Sequence, residues 1–371
     1  MGGPKLLSRS GDSSIRCLVL SRYGIRGASS RVRFAQYFPQ LASYGIECHF
    51  SPLLEDSYLL RRYAHSPLRF LDVFTGYLKR FEQLLSARQF DVIWLEGELF
   101  PGLPAAFEQL ILRSGVPYVL DYDDAIFLRY EKQLESWFGG LFRDKFSRLI
   151  SGAAAVTAGN RFLENWAQKE GARRVVYIPS VIDAGRYVST SESSGPGGRF
   201  VVGWIGSPHT ARYLDIVAPA LERQNRLTPL ELMTIGAGPM GDYPVPVRQH
   251  EWSLAREVEL IEAMDVGIMP LPSDAWSLGK CGYKLIQYMA LGKPVVASAV
   301  GANLDIVAHG VNGFLAQGDD DWVRGLACLA ESQALRSSFG RLGRERIQEH
   351  FTTQITAPVV ASVLRSAVKG G

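Results

Sequence analysis

The stretch Phe200-Val201-Val202-Gly203-Trp204-Ile205-Gly206-Ser207-Pro208-His209-Thr210 opens with an apolar run and closes on small residues that start helices. A short apolar run rich in β-branched residues fits a strand covered on both faces, as in parallel sheets. Ser207 is a favourable N-cap, and Pro208 suits the first helical position, where a missing N–H costs nothing. Amides exposed at such a helix start favour a phosphate oxygen, although a well-capped helix with no ligand has the same sequence.

The alternation of strand and helix extends in both directions from this segment. Before it come strands at Arg16 to Leu20, Glu47 to Pro52, Asp91 to Leu95, Tyr118 to Asp121, Ala154 to Ala158 and Val175 to Ile178. Helical periodicity covers Ser30 to Ser43 and a long stretch through Leu85. After it come helices from about Pro208 to Arg223, Leu254 to Met264 and Tyr283 to Leu291. Strands at Glu231 to Ile235, Val266 to Leu271 and Pro294 to Ser298 separate them, and two helices close the chain. The pattern predicts an α/β protein with two Rossmann-like, doubly wound parallel sheets.

A chain of 371 residues is too long for one ordinary core. Ser189 to Arg199 is a polar Gly/Ser stretch, the natural linker. The expected division is a first domain over 14–188, a linker over 189–199 and a second domain over 200–350. A closing helix within 351–371 is expected to pack back toward the first domain. Facing domains of this kind surround a central cleft with the loops at the carboxyl ends of their strands.

Composition removes several classes. Lys+Arg 40 against Asp+Glu 37 leaves a formal charge of +3, too balanced for a nucleic-acid partner. Met1 to Asp12 lacks a signal-peptide core and no run approaches a membrane span, so a cytoplasmic location is expected. Cys17, Cys48, Cys281 and Cys328 have no C-x-x-C spacing, and no H-E-x-x-H occurs, so neither a disulfide framework nor a zinc site is expected.

The sharpest chemical signal is Gly279-Lys280-Cys281-Gly282-Tyr283-Lys284-Leu285-Ile286-Gln287-Tyr288-Met289-Ala290. At about 100° per residue, Lys280, Lys284 and Gln287 fall within about 60° of one another on one polar helix face, opposite an apolar stripe. Cations are disfavoured at a helix N-terminus, so a lysine pair there makes sense around a polyanion such as a diphosphate. A solvated lysine face is the plain alternative. Ile235-Gly236-Ala237-Gly238 repeats the strand-end glycine theme.

In the first domain, Gly24, Gly27, Ser29 and Ser30 precede Arg31 and Arg33, a loop that could admit a phosphate or an anionic acceptor. A solvated helix start explains it equally. Asp121-Tyr122-Asp123-Asp124 follows an apolar strand and contains a D-x-D triplet that would suit Mg²⁺ or Mn²⁺. An acceptor-facing role for Asp123 and Asp124 is preferred, because the donor features lie in the other half. Glu98, just past a strand, is a cleft candidate or a helix cap. His209 beside the phosphate loop could assist a leaving group or merely cap. His49, His65, His250, His309 and His350 have no chemically suggestive neighbours. Two aromatic and basic stretches, Arg61 to Phe81 and Trp137 to Arg148, could rest on an anionic leaflet or face a core.

Taken together, Gly203 to Leu214, Asp265 to Leu271, Gly279 to Asn303 with Lys293-Pro294-Val295-Val296-Ala297-Ser298, and Val311-Asn312-Gly313-Phe314-Leu315 resemble the donor domain of family 4 glycosyltransferases. Gly24 to Arg33, Tyr177-Ile178-Pro179 and Ile182-Asp183 resemble that family's acceptor loop and hinge approach, so the likeness spans about residues 15 to 350. It implies the GT-B fold and retaining transfer from a nucleotide sugar, UDP first and GDP second, of the bacterial polysaccharide or glycolipid type. A saccharide or lipid-linked acceptor is expected, with no metal or other cofactor, and the two aromatic and basic stretches would allow peripheral contact at the inner membrane face.

The candidate catalytic set is Lys280, Lys284 and His209. Donor contacts fall on Gly206, Ser207, Thr210, Gly236, Gly279, Cys281, Gly282, Tyr283 and Gln287. Acceptor contacts fall on Gly27, Ser29, Arg31, Arg33, Glu98, Asp123 and Asp124. Two departures stand out: the family's paired glutamates would fall at Gly279 and Gln287, and the loop after Ile205 lacks the usual lysine. An amide at 287 could still reach a ribose, and Lys280 with Lys284 could replace the missing cation. A GT-B-like nucleotide-sugar epimerase and a two-lobed sugar-binding protein are the alternatives; a dehydrogenase is disfavoured because no full G-x-G-x-x-G follows the first strand.

Overall fold

The computed structural model describes residues 14–64, 66, 67, 69–130, 139–188 and 199–370. Of the features above, His65, Trp137, Phe138 and all of the linker but Arg199 lie outside the described residues.

The first sheet holds β1 (Ile15–Tyr23), β2 (Ile46–Leu54), β3 (Val92–Glu96), β4 (Tyr118–Tyr122), β5 (Ala155–Ala158) and β6 (Val175–Tyr177). They lie in the order β2-β1-β3-β4-β5-β6, and each neighbouring pair is parallel. The second sheet holds β7 (Phe200–Ile205), β8 (Leu230–Ile235), β9 (Val247–His250), β10 (Val266–Met269), β11 (Val295–Ser298) and β12 (Gly313–Ala316). Its order is β12-β11-β10-β7-β8-β9, again with parallel neighbours. Central strands such as β3 and β7 bury nearly every residue, because helices cover both faces.

Strand order reverses between β1 and β3 in the first sheet and between β7 and β10 in the second. Loops leaving these strands splay apart there and open a crevice, the general ligand position of open α/β sheets. One crevice gathers Gly27, Ser29, Glu96 and Glu98; the other gathers Ser207, His209, Asp274 and Trp276.

Some expected elements differ in detail. Ser30 to Ser43 is a π turn (Ser30–Phe34), a 3₁₀ turn (Ala35–Tyr37) and an α-helix (Phe38–Ser43), not one helix. Pro39 sits in the first turn of the last piece, where it restarts the helix. Pro208 to Arg223 likewise divides into Pro208–Ala211, Arg212–Ile216 and Ala218–Leu227, with Pro219 at the last restart. β9 and β12 were not anticipated.

The helix Thr353–Lys369 lies against the first domain. Tyr37 Oη and Thr356 Oγ1 are 2.8 Å apart, Gln40 Nε2 donates to Thr353 Oγ1 at 2.8 Å, and Arg365 bonds to the Tyr44 carbonyl. Its buried Val360 and Leu364 share a core cluster with Val19 and Trp94 of the first sheet.

Candidate functional site

A cleft of about 640 Å³ lies between the lobes. From the first lobe it is lined by Gly27, Ser29, Glu96, Glu98, Asp123 and Asp124; Ser207, His209, Arg212 and Trp276 face them from the second.

The first-lobe side carries a run of carboxylates, and Arg22, Arg62 and Arg129 line it too. Glu96, missed in the sequence reading, ends β3 and accepts from the Arg22 amide at 2.9 Å and Ser30 Oγ at 2.7 Å. Burial pushes its carboxyl up to about 7, and nearby Asp123 pushes in the same direction. Asp123 is itself raised to about 6, first by burial, against the lowering pull of Arg33 and of its hydrogen bond from Ser29. The clue to Glu96 was available: it is an acidic residue at the carboxyl end of a strand, the same criterion that singled out Glu98.

Glu98 lines the cleft, yet it is tied into a buried cluster, accepting from Tyr130 Oη and lying 3.3 Å from Lys145 Nζ. Lys145 also donates to Glu108 at 2.6 Å. Arg33 is not presented to the cleft. Its guanidinium donates to both oxygens of Asp121, at 2.9 and 2.7 Å, and to the Ile178 carbonyl at 2.8 Å. Thr157 completes the Asp121 shell at 2.5 Å. The D-x-D triplet is thereby split, with Asp121 neutralised inside and Asp123 facing out, and no metal-binding group of three or more ligands gathers among the described residues. Arg31 donates to the Ile25 carbonyl at 3.0 Å and lies 4.7 Å from the Trp252 ring of the other lobe.

Cations gather around His209 from both lobes, Arg212 and Lys280 from the second and Arg62 and Arg129 from the first. His209 is lowered by burial and then by the charges of Arg212, Lys280, Arg62 and Arg129, which places four cations around one imidazole. The convergence of Arg62, Arg129 and Arg212 on His209 depends on how the lobes dock, which no local pattern encodes. Ser207 occupies the expected N-cap. The glycine-loop amides are not free as expected: Gly206 N–H donates to the Ile235 carbonyl at 2.9 Å and Ser207 N–H to Thr210 Oγ1 at 3.3 Å. Gly236 adopts φ +78° beneath them, where a Cβ would meet the Gly206 carbonyl oxygen at 2.4 Å.

The lysine pair is arranged differently from the helical-wheel expectation. The helix is Tyr283–Ala290 and begins after Gly282 at φ +66°, so Lys280 lies outside it. Lys280 Nζ reaches across the cleft to Asp124 Oδ2 at 2.8 Å and sits 4.8 Å from the Trp276 ring centre. Lys284 is half-buried, with Nζ 4.7 Å from the Trp204 ring centre and no carboxylate partner among the described residues. Loss of water around its ammonium, followed by repulsion from Lys280, lowers it to about 7.

Gln287 is buried and donates to Tyr187 Oη at 2.8 Å, which in turn donates to Glu257 at 2.6 Å. Tyr283 Oη stands 3.4 Å from the same Tyr187 oxygen. Gln287 is thus engaged in an internal network rather than directed into the cleft.

The segment before the helix docks onto the first lobe. Asn160 Nδ2 donates to the carbonyls of Leu278 and Lys280 at 3.1 and 3.0 Å, and Cys281 Sγ donates to the Asp123 carbonyl at 3.1 Å. Gly279 packs so closely that a Cβ there would lie 2.5 Å from Ala125 Cβ. A glutamate could not occupy position 279 without parting the lobes.

Comparison with known proteins bears on this arrangement. Residues 199–332, the part that supplies β7 through β12, match the family described as glycosyl transferases group 1. Among solved structures, HepE of Anabaena in complex with UDP-glucose is 17% identical, with a TM-score of 0.71 over 95% of this chain and 100% of its own. The chain has the GT-B fold. Two further GT-B structures agree: sucrose-phosphate synthase of Thermosynechococcus elongatus at 14% identity and TM-score 0.69, and a glycosyltransferase of Rickettsia africae at 10% and 0.68. Each spans 96% of this chain and 100% of its own length. No curated protein sequence matches significantly.

Proposed function

We propose that the chain is a retaining glycosyltransferase that moves a sugar from a nucleotide diphosphate donor, a UDP-sugar in the first instance, to a saccharide or lipid-linked acceptor. One observation carries the reading: an interdomain cleft in which cations from both lobes surround His209 of the second, opposite carboxylates Glu96, Asp123 and Asp124 of the first. The donor's diphosphate suits the first environment, and acceptor hydroxyls suit the second. The match of 199–332 to glycosyl transferases group 1 supports the reaction class, and UDP-glucose in the HepE complex supports the choice of donor.

In this mechanism the bond between the sugar's anomeric carbon and the diphosphate oxygen breaks, and a bond to an acceptor oxygen forms on the same face. The acceptor proton passes to the departing phosphate oxygen. Lys280 and Lys284, with the first-turn amides of Tyr283–Ala290, stabilise the charge that develops on the leaving group. A diphosphate would compete with Asp124 for Lys280 and release that carboxylate toward the acceptor. It would also supply the anion that Lys284 lacks, and raise His209 toward its protonated form. Docking of Gly279 and Cys281 on the first lobe keeps water from the reacting carbon.

Thermal-shift screening tests the donor class: UDP is expected to raise the melting temperature more than GDP, dTDP or ADP. Incubation with the donor alone separates the reaction class, since a transferase leaves the sugar's configuration intact and an epimerase releases its epimer. No response to any nucleoside diphosphate would refute the proposal.

A further inference from the structure

Two guanidinium groups of the first lobe line the cleft and take no part in the transfer step. Arg62 stands in the last turn of the helix Asp56–Tyr63, and Arg129 in the 3₁₀ turn Ile126–Tyr130. Neither has a carboxylate partner among the described residues, although Arg61, beside Arg62, pairs with Asp72. The acidic groups of the same cleft are engaged elsewhere. Asp124 holds Lys280 at 2.8 Å, Glu98 lies between Arg22 at 3.7 Å and Lys145 at 3.3 Å, and Asp274 accepts from the Ser277 amide at 2.7 Å. Arg129 lies 5.1 Å from the Trp276 ring centre, against the same indole that Lys280 approaches at 4.8 Å. A guanidinium held by an aromatic ring still directs its N–H edge at a ligand.

Like charges gathered in one cleft repel unless an anion lies among them. A donor diphosphate carries about two negative charges near neutral pH, and Arg212, Lys280 and Lys284 of the second lobe already balance them. Arg62 and Arg129 are surplus to that need. We infer that these two guanidinium groups bind a phosphate carried by the acceptor. The inference rests on the transferase reading and narrows it: the acceptor is a phosphorylated saccharide or a saccharide on a phosphate-bearing lipid, not a neutral sugar. The protein itself shows why a carboxylate is the poorer fit. One guanidinium, Arg33, takes both oxygens of Asp121 at 2.9 and 2.7 Å, so a carboxylate leaves a second guanidinium without an acceptor. A phosphate has the further oxygens and charge to satisfy two. Glu96 and Asp123 line the same wall. An acceptor that puts its phosphate on the guanidinium groups brings its hydroxyls to these carboxylates, and their charge repels the reversed orientation.

Calorimetry on the UDP-saturated chain tests it, with inorganic phosphate and acetate as probes at matched ionic strength. The wild type should bind phosphate saturably and acetate at least about tenfold more weakly. The double variant R62Q/R129Q should bind phosphate at least about tenfold more weakly than wild type, while its melting temperature holds and its UDP affinity changes less than about threefold. Glucose 6-phosphate and farnesyl diphosphate then separate the sources: tighter binding of the first than of inorganic phosphate puts the group on the sugar, and of the second on a lipid carrier. Weaker binding of both would overturn the inference, as would acetate binding equal to phosphate or equal phosphate binding by wild type and variant. A variant whose UDP affinity falls as far as its phosphate affinity would give the guanidinium groups to the donor and overturn it too. UDP is titrated first. Failure of UDP to bind removes the transferase reading, whereas UDP binding without phosphate binding removes this inference alone.

Discussion

The two lobes have related sheets, and the shifted titratable groups at their facing edges move in opposite directions. At its switch point the first lobe presents carboxylates whose protons are held more tightly than usual, Glu96 at about 7 and Asp123 at about 6. The second presents bases that hold protons more loosely, Lys284 at about 7 and His209 below its ordinary value. Each set resists its own charge because it is crowded and partly dry, and an opposite charge relieves that resistance. Lys280 and Asp124 already make such a pair across the cleft. On the proposed reading, both edges are shaped for a ligand that lies between them.

The largest test of that contrast removes a cation. Lys284→Ala should lower kcat/KM for the donor about a hundredfold, seen as a higher donor KM, a lower kcat or both in steady-state assays. Unchanged kinetics would remove Lys284 from the site. On the opposite rim, Asp123→Asn should reduce kcat/KM for the acceptor about tenfold while UDP affinity by calorimetry stays within about twofold. Equal damage to both would end the division of labour between the lobes.

A smaller effect probes the docking between the rims. Gly279→Ala forces a Cβ against Ala125, so the cleft should open; the radius of gyration in small-angle scattering should rise and activity should fall a few-fold, about two to five. The mildest change concerns pH. Burial raises Glu96 to about 7 from its ordinary 4.5, so the folded chain keeps a proton that the unfolded chain has released in that interval. Its contribution is full below the unfolded value and lost as pH rises through 7. Glu96→Gln should therefore gain about 1 to 2 kcal/mol over wild type at pH 8 and nothing at pH 4, measured by urea melts at both values. A gain at pH 4 would reverse the sign.

Much of the fold was legible because central strands in a parallel sheet are apolar on both faces, as Phe200 to Ile205 and Val92 to Leu95 are. β9 reads Val-Arg-Gln-His on the sheet's edge, with no apolar alternation to betray it. Ser207, His209, Gly27, Ser29, Asp123 and Asp124 were recognisable as strand-end residues, since topology alone puts such positions at the cleft. Lys280 was assigned to a helix that Gly282 starts two residues later, and Arg62, Arg129 and Arg212 arrive from separate helices and turns. Convergence of that kind is a property of docking rather than of any local spacing.

The central claim is that the second lobe holds a pyrophosphoryl leaving group. A crystal structure with UDP bound tests it most directly. The account predicts both phosphates within about 3 Å of polar atoms on that lobe, with Lys284 and Arg212 or His209 among the donors and the Lys280–Asp124 contact broken. UDP lodged against Glu96 and Asp123 instead, with Lys284 still over Trp204 and untouched, would contradict it.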